Sequence, residues 1–227
     1  MKLSDDVTET IALRRNKSLT TLVSEEIERL IVTGEMKPGD RINEQRLADH
    51  LNVNRSVLRE ARSGLIRSGL LKSVPNKGVF VRIVSNEELH ENSEIREVIS
   101  GFICQRAAIK ATNDDKEQLR DLISQMNEAA VTKDSPRFDN CNTQFHKILI
   151  EIADHKAAGN FYQDLIRQSH LARRAVLTKQ GQLEASNIEH SAIVDAIIEF
   201  DSQRAREAGE RHVRNGRRRW IDSIQNP

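Results

Sequence analysis

The stretch NEQRLADHLNVNRSVLREARSGLIRSG, residues 43–69, contains two short helical patterns separated by a break of two residues. In the first pattern, Leu47, Ala48 and Leu51 fall on one apolar face, and Asn43 stands where an N-cap residue is expected. The second pattern has a longer apolar face, formed by Val57, Leu58, Ala61, Leu65 and Ile66. Two short helices joined by so brief a turn are typical of a helix-turn-helix.

The flanking segments complete a larger unit around this motif. Residues 19–33 carry an apolar stripe that ends at Gly34, which predicts a first helix. After Gly69, the β-branched runs LLKSV and GVFVRIV, separated by PNK, predict a hairpin. Three short helices followed by a hairpin form a winged helix-turn-helix over residues 19–84. We expect residues 1–18 to be a flexible N-terminal segment.

The remainder of the chain has a different pattern. From residue 85 onward, apolar residues repeat at helical spacing, and strand patterns are absent. Polar breaks divide this region into predicted helices near residues 86–112, 115–132, 135–154, 158–178, 186–200 and 202–222. We expect residues 85–227 to form an antiparallel helical bundle. The predicted fold class is therefore mainly α, with an N-terminal winged helix-turn-helix and a C-terminal antiparallel helical bundle.

The composition is that of an ordinary soluble protein. Hydrophobic residues make up 37% of the chain and the mean hydropathy is −0.57, and no apolar run approaches the ~18 residues that a membrane span needs. The N-terminus has early acidic residues and no apolar block, unlike a secretory signal. Cys104 and Cys141 each lie in a helical pattern, which favours free thiols in a reducing compartment. We expect a cytoplasmic protein that has no membrane partner.

The net charge of +1 conceals an uneven distribution of charge along the chain. Residues 41–85 hold nine Lys and Arg residues against three Asp and Glu, whereas residues 86–227 hold 20 against 23. A basic block on a mildly acidic body is typical of a protein that docks one end on phosphates. Aromatic residues make up only 4% of the chain, which argues against stacking platforms for single-stranded nucleic acid. Double-stranded DNA is the expected partner.

Polar side chains at the start of the second helix of the motif could read DNA. Arg55, Ser56 and Arg59 fall on the side opposite the apolar face. Arginine can form bidentate bonds with guanine, and serine can reach phosphates or base edges. Asn54 could contact a phosphate or an adenine, or act only as a helix cap.

Two further segments supply candidate DNA contacts. Gln45 and Arg46, on the first helix of the motif, are possible phosphate contacts. Lys77 and Gly78 occupy the tip of the predicted hairpin, where a lysine can follow phosphates and a glycine allows close approach to the DNA backbone. Gly78 has an alternative reading, because a plain β-turn also favours glycine.

Arg59 also has an alternative interpretation. It could pair with Glu60 or Glu44 on the surface of the domain, and single charges on helices are usually solvated.

Three histidines lie on apolar faces of different predicted helices. They are His146, His190 and His212, and Asn142 stands one turn before the first of them. A lone histidine on such a face is more often a core residue bonded to a carbonyl. A bundle can, however, project all three into one interior point, as helical metal proteins do. Neutral imidazoles with an oxygen donor suit Zn²⁺, Ni²⁺, Co²⁺ or Mn²⁺ better than Mg²⁺.

Catalysis at such a centre would need an acid or a base beside the metal. By helical spacing, Glu189 and Asp195 point away from the inward stripe of their helix. No carboxylate is therefore expected at the next inward position beside His190. The sequence favours a non-enzymatic site.

The N-terminal region resembles the DNA-binding domain of the GntR family of bacterial transcriptional regulators. The resemblance covers residues 19–83. It rests on the PGDRINE turn, the LADHLNVNRSVLREA helix-turn-helix, the SGLL entry to the hairpin and the NKGVFV wing. It implies the winged helix-turn-helix fold and binding to duplex DNA.

The C-terminal region resembles the FCD domain, the all-helical sensor domain of FadR-type GntR regulators. In that group an Asp and a His four residues apart, with two later His, hold a metal. The resemblance assigns these roles to Asn142, His146, His190 and His212, and the neutral Asn142 stands where Asp is common. An amide lacks the negative charge of a carboxylate and should bind the metal more weakly.

The same resemblance implies a small carboxylate as effector. The carboxylate would complete the coordination of the metal and meet Arg96, in the segment EIREVISGF. From the sequence alone, Arg96 could equally form a salt bridge with Glu94 or with a neighbouring helix. Ser100 stands where many relatives have Glu, so the pocket lining differs from the usual one.

These observations together predict a homodimeric DNA-binding transcriptional regulator. We expect a repressor rather than an activator. It would bind a pseudo-palindromic operator and respond to a small organic acid held at a metal ion, with Zn²⁺ as the first candidate. The alternatives are a metal-free sensor of an acyl-type ligand and a helical metalloenzyme fused to a DNA-binding domain.

Overall fold

A computed structural model describes residues 18–173 and 182–225 of the chain. The chain divides into two compact units, residues 1–84 and residues 85–227. The N-terminal segment that was predicted to be flexible lies, apart from its last residue, outside the described residues.

Local sequence features explain the bounds of the three helices described in the N-terminal unit. Helix α1 (Leu19–Thr33) ends at Gly34, which takes the left-handed conformation with φ of 74°. Helix α2 (Glu44–His50) starts where the Asn43 side chain accepts a hydrogen bond from the Arg46 amide, at 3.0 Å. Helix α3 (Arg55–Arg67) follows after a four-residue turn. The helix-turn-helix predicted from the sequence is present.

A small antiparallel hairpin follows α3. Strands β1 (Leu71–Val74) and β2 (Gly78–Val81) pair in register from Leu71 with Val81 to Val74 with Gly78. The second strand ends earlier than the apolar run GVFVRIV suggested, and Ile83 is 71% exposed. The hairpin is the wing of the predicted winged helix-turn-helix.

The turn before α2 takes part in the wing, which the sequence did not indicate. The Ile42 amide donates to the Val79 carbonyl, and the Val81 amide donates to the Asp40 carbonyl, both at 2.8 Å. Asp40 and Ile42 therefore pair with the free edge of β2. This pairing fixes the wing to the start of the helix-turn-helix.

The C-terminal unit is built of helices throughout its described part. They are α4 (Asn86–Lys110), α5 (Asn113–Val131), α6 (Ser135–Ala153), α7 (Lys156–Arg173), α8 (Gln182–Ile198) and α9 (Ser202–Gln225). Most bounds lie within about two residues of the prediction, but α8 begins four residues before the predicted start at residue 186. The predicted end of the fourth helix of this unit, residues 174–178, lies outside the described residues.

Close packing of α4 against α9 depends on two glycines. A Cβ added at Gly101 would lie 2.6 Å from Glu210 Cγ, and one added at Gly209 would lie 2.7 Å from Cys104 Sγ. At Gly209 the neighbours include the Ser100 backbone oxygen at 3.0 Å, which cannot rotate away, whereas at Gly101 they are side-chain atoms of Glu210 and Arg206. The close approach of the two helices therefore depends most directly on Gly209.

The interior of this unit is apolar around a few buried polar groups. Phe138, Phe145 and Leu149 of α6 are among its most buried side chains. Cys104 and Cys141 are buried free thiols, which confirms that prediction. None of the helices described in either unit combines the length and the hydropathy that crossing a bilayer requires.

Candidate metal centre and nucleic-acid interface

Three helices bring their histidines together inside the C-terminal unit. One nitrogen atom from each of His146, His190 and His212 lies within 4.8 Å of those of the other two. The ring centroids are 5.5 Å apart for His146 and His190, 5.4 Å for His146 and His212, and 4.4 Å for His190 and His212. All three side chains are buried, His190 completely. The three histidines therefore converge on one interior point, as the sequence predicted.

The apolar face of α6 explains how this cluster is held. Phe145 is fully buried, and its ring centroid lies 4.8 Å from that of His190 and 5.5 Å from that of His146. Asn142 is buried one turn before His146 on the same helix. Its Oδ1 atom makes no hydrogen bond within the part of the chain that the structure describes. An amide oxygen left in this state is costly unless something else binds it.

Glu189 contacts the site, whereas the helical spacing predicted that it points away. Its Oε2 atom lies 3.0 Å from Nδ1 of His212, and its side chain is only 12% exposed. The prediction that Glu189 points away from the site is wrong. Its physical reason is that the inward stripe of α8 was defined by apolar residues alone, whereas α9 packs along the flank of that stripe and meets Glu189. Asp195 is exposed, as expected.

The other contacts of Glu189 come from the same helix as His212. Asn215 Nδ2 donates to Oε1 at 2.9 Å, and the Arg219 guanidinium donates to both carboxylate oxygens at 2.6 and 2.9 Å. Burial opposes ionisation of Glu189, but the hydrogen bonds from Arg219 and His212 outweigh it and hold the pKa of this carboxyl at about 2. Glu189 is therefore ionised at neutral pH.

Further polar side chains lie in the same interior. Arg96 and Ser100 on α4 are buried, at 7% and 3% exposure. Two residues were missed from the sequence: Tyr162, whose ring centroid lies 6.2 Å from that of His146, and Asn187, whose buried Oδ1 has no hydrogen-bond partner among the described residues. Helical spacing places Asn187 one turn before His190, and this pattern could have identified it.

The donor atoms of this centre fit a divalent transition metal. Three imidazoles offer nitrogen, the Asn142 side chain offers an oxygen that no protein group binds among the described residues, and all four side chains are buried. This set suits Zn²⁺, Ni²⁺, Co²⁺ or Mn²⁺ and is poor for Mg²⁺, which prefers several oxygen ligands.

The candidate DNA contacts lie on the surface of the N-terminal unit. Asn54, Ser56 and Arg55 are exposed at the start of α3. The Asn54 side chain accepts from the Val57 amide at 2.9 Å and from the Ser56 hydroxyl at 2.7 Å, so it caps the helix. The Arg55 guanidinium donates to the Gln45 side chain, which links the two helices of the motif.

Arg59 lies one turn further along α3 and is exposed. The surface pairs considered for it are not formed, because Glu44 pairs with Arg62 and Glu60 accepts from the Thr20 hydroxyl. Within the described residues, no protein group binds the Arg59 guanidinium.

The remaining candidates lie on α2 and at the wing. Arg46 and Lys77 are exposed. Gly78 has φ of 109°, so the backbone alone is sufficient reason for glycine there. A Cβ at Gly78 would lie 3.2 Å from Arg41 Nε, which places one more cation beside the wing. Arg41 was missed because it lies in the segment read as a plain turn.

A winged helix-turn-helix with a basic surface, joined to a helical unit with a buried polar centre, defines a class: the two-domain DNA-binding transcriptional regulators. Comparison with known proteins gives the family. Residues 19–81 match the bacterial regulatory proteins of the gntR family, and residues 91–215 match the FCD domain. The chain belongs to the GntR family of transcriptional regulators and carries an FCD ligand-binding domain, which confirms the resemblance found in the sequence.

Individual relatives agree with this assignment. The chain is 26% identical over 192 residues to the uncharacterized transcriptional regulator YdhC of Bacillus subtilis, a match that covers 83% of each chain. It is 26% identical over 187 residues to the transcriptional repressor RspR of Escherichia coli, covering 82% of each. These relatives are regulators rather than enzymes, and the expectation of a non-enzymatic protein is confirmed.

Solved structures support the fold. Escherichia coli McbR/YncC aligns with a TM-score of 0.79 at 20% identity, over 92% of this chain and 99% of that chain. A putative GntR regulator from Rhodococcus sp. RHA1 aligns with a TM-score of 0.72 at 20% identity, over 90% and 98% of the two chains.

The buried Asn142 oxygen generates a stability prediction. In metal-free protein, Asn142→Leu should raise the free energy of unfolding by about 1–3 kcal/mol, because it removes an unsatisfied buried acceptor at similar volume. Urea denaturation in the presence of a chelator measures this. The control is Asn140→Leu, at an exposed position of the same helix, which should change stability by less than about 0.5 kcal/mol. A less stable Asn142→Leu protein would contradict the view that this oxygen lacks a partner.

Proposed function

We propose that the protein is a homodimeric cytoplasmic repressor that binds a pseudo-palindromic operator and is controlled by a small organic acid held at a divalent metal ion. The observation that carries the effector part of this proposal is the buried cluster of three histidines with the unbound oxygen of Asn142. The relatives RspR of E. coli and NanR of Cronobacter sakazakii are named as repressors, which favours repression over activation.

The DNA part of the proposal assigns base and phosphate contacts to exposed polar side chains of the winged helix-turn-helix. Arg55 and Arg59 would read base edges from the first turns of α3, and Asn54 and Ser56 would contact nearby phosphates or bases. Outside α3, Gln45 and Arg46 would contact the phosphate backbone from α2, and Lys77 with Gly78 would approach it from the wing. The exposure of the charged members of this set supports these roles.

The metal part assigns four ligands: Asn142, His146, His190 and His212. The ion would supply positive charge and open coordination positions for a carboxylate oxygen of the effector. Zn²⁺ is the first candidate, and Ni²⁺, Co²⁺ and Mn²⁺ suit the same donors. Because none of the four ligands is anionic, the protein leaves the charge of the ion uncompensated within this set, which favours an anionic effector.

Arg96 is the proposed partner of the effector carboxylate. It is a cation buried in the same helical unit, on α4, and a buried guanidinium favours a bidentate anion such as a carboxylate. An effector that contacts both Arg96 of α4 and the histidine centre would favour one arrangement of these helices. Typical coupling energies of ~1–3 kcal/mol would then be sufficient to change operator occupancy.

An exposed apolar stripe on α4 supports the homodimer. Its members repeat at intervals of three, four and seven residues on one face of the helix: Ile95, Val98, Phe102 and Ile109. All four are between 37% and 67% exposed in the single chain. A stripe of this kind is expensive to leave in water, and a two-fold operator requires two copies of the DNA-binding domain related by the same symmetry.

The first experiment tests the DNA surface. Arg59→Ala should weaken binding to duplexes selected in vitro with the wild-type protein by about 10- to 100-fold, because one base contact contributes about 1–3 kcal/mol. The matched control is Arg67→Ala, which removes the same charge from the last turn of α3 and should change binding less than about threefold. Fluorescence anisotropy at fixed salt measures both. Equal losses in the two variants would contradict direct reading by Arg59.

The second experiment tests the metal. Elemental analysis of protein purified without a His-tag or chelator should find about one equivalent of a transition metal per chain, and His146→Gln should lose it. The control His90→Gln changes a histidine on the surface of α4 and should retain the metal. Less than a tenth of an equivalent in the wild type, with effector binding intact, would overturn the metal and favour the metal-free sensor of an acyl-type ligand.

The third experiment tests the dimer. Val98→Asp should shift the mass in sedimentation equilibrium towards that of one chain, because it places a charge in the centre of the proposed apolar interface. Val131→Asp is the control, since Val131 is also an exposed valine, at 72% against 59% for Val98, and lies on α5 outside the stripe. A wild-type mass of one chain at micromolar concentration, or equal effects of both variants, would rule out this interface.

A further inference from the structure

Glu189 is the partly buried carboxylate that contacts the histidine centre, and both of its oxygens accept hydrogen bonds. Oε2 meets His212 Nδ1 at 3.0 Å and one Arg219 nitrogen at 2.9 Å. Oε1 accepts from Asn215 at 2.9 Å and from the other Arg219 nitrogen at 2.6 Å. All three partners lie on α9, whereas Glu189 lies on α8 immediately before His190.

The chemistry of this contact determines which nitrogen of His212 carries the hydrogen. An ionised carboxylate paired with an arginine can only accept hydrogen bonds, so Nδ1 must donate. A neutral imidazole has one N–H, and the lone pair is then on Nε2. Metal-binding histidines commonly have such an acceptor behind them, which orients the ring and raises the basicity of the ligand nitrogen.

We infer that Glu189 is a positioning residue of the proposed metal centre: it holds His212 in the Nδ1–H tautomer and directs Nε2 towards the ion. The inference rests on the proposed function. Arg219 and Asn215 in turn hold Glu189, so that the orientation of His212 is set by a hydrogen-bonded chain reaching two turns along α9. Since Glu189 adjoins His190, the same turn of α8 carries the proposed metal ligand His190 and orients the proposed metal ligand His212.

Glu97 provides a matched control for this inference. Its side chain is 15% exposed, close to the 12% of Glu189, and it also pairs an α9 arginine, accepting from Arg214 Nε at 2.9 Å. Among the described residues, no histidine contacts it. Glu97→Gln therefore removes a partly buried charge and weakens an arginine pair between helices, and neither partner in that pair is a histidine.

The first measurement is Zn²⁺ affinity, by competition with a zinc-binding dye. Glu189→Gln should weaken Zn²⁺ binding about 10- to 100-fold, because it removes the carboxylate that accepts from the proposed ligand His212. Glu97→Gln leaves that hydrogen bond in place, so its Zn²⁺ affinity should stay within about threefold of the wild type. Similar affinities of the two variants, with the wild type binding Zn²⁺, would overturn the positioning role alone. A wild type that binds no Zn²⁺ would overturn the proposed metal function and this role together.

The second measurement is independent of the metal. The ¹⁵N chemical shifts of the His212 ring in metal-free protein should report the Nδ1–H tautomer in the wild type and in Glu97→Gln. In Glu189→Gln a mixture of tautomers is expected, because an amide can donate to Nδ1 as well as accept from it. An Nε2–H tautomer in the wild type would contradict the inference directly.

Discussion

Three imidazoles and an amide buried in the middle of an apolar bundle constrain the whole C-terminal unit. Polar groups of this kind are expensive to remove from water unless they are bound, so every helix around them must either supply a partner or exclude solvent. Phe145 closes one side of the cluster, and Glu189 supplies the partner for His212. The bundle is thus organised around a polar interior, which a purely structural core would replace with aliphatic side chains.

The charge balance of this interior determines which ligands the proposed centre would favour. None of the four proposed ligands, His146, His190, His212 and Asn142, carries a carboxylate, and the carboxylate of Glu189 is paired with Arg219. A cation bound by these four side chains would therefore bring positive charge that none of them balances. In a medium of low polarity such an excess is unfavourable, and an anionic effector would relieve it. In the proposed site, the neutral amide at residue 142 would therefore make binding of the anion and binding of the ion mutually dependent.

Much of the fold was predictable from local patterns. Apolar spacing and capping residues such as Asn43 identified the helices, and the histidines were found because they share faces with apolar residues. Contacts between helices were not predictable in this way. Glu189 lies at the edge of its stripe, and only the packing of α9 shows that it faces inward. Likewise, the pairing of Asp40 with Val81 joins residues that are 41 positions apart in the chain, and no local pattern encodes it.

The glycines between α4 and α9 have a mechanical consequence. A Cβ at Gly209 of α9 would lie 2.7 Å from Cys104 Sγ and 3.0 Å from the Ser100 backbone oxygen of α4, so no side chain at residue 209 fits between the two helices. A larger residue at position 209 would therefore have to move the two helices apart. Because α4 carries Arg96 and α9 carries His212, such a separation would also change the distance between these two buried side chains.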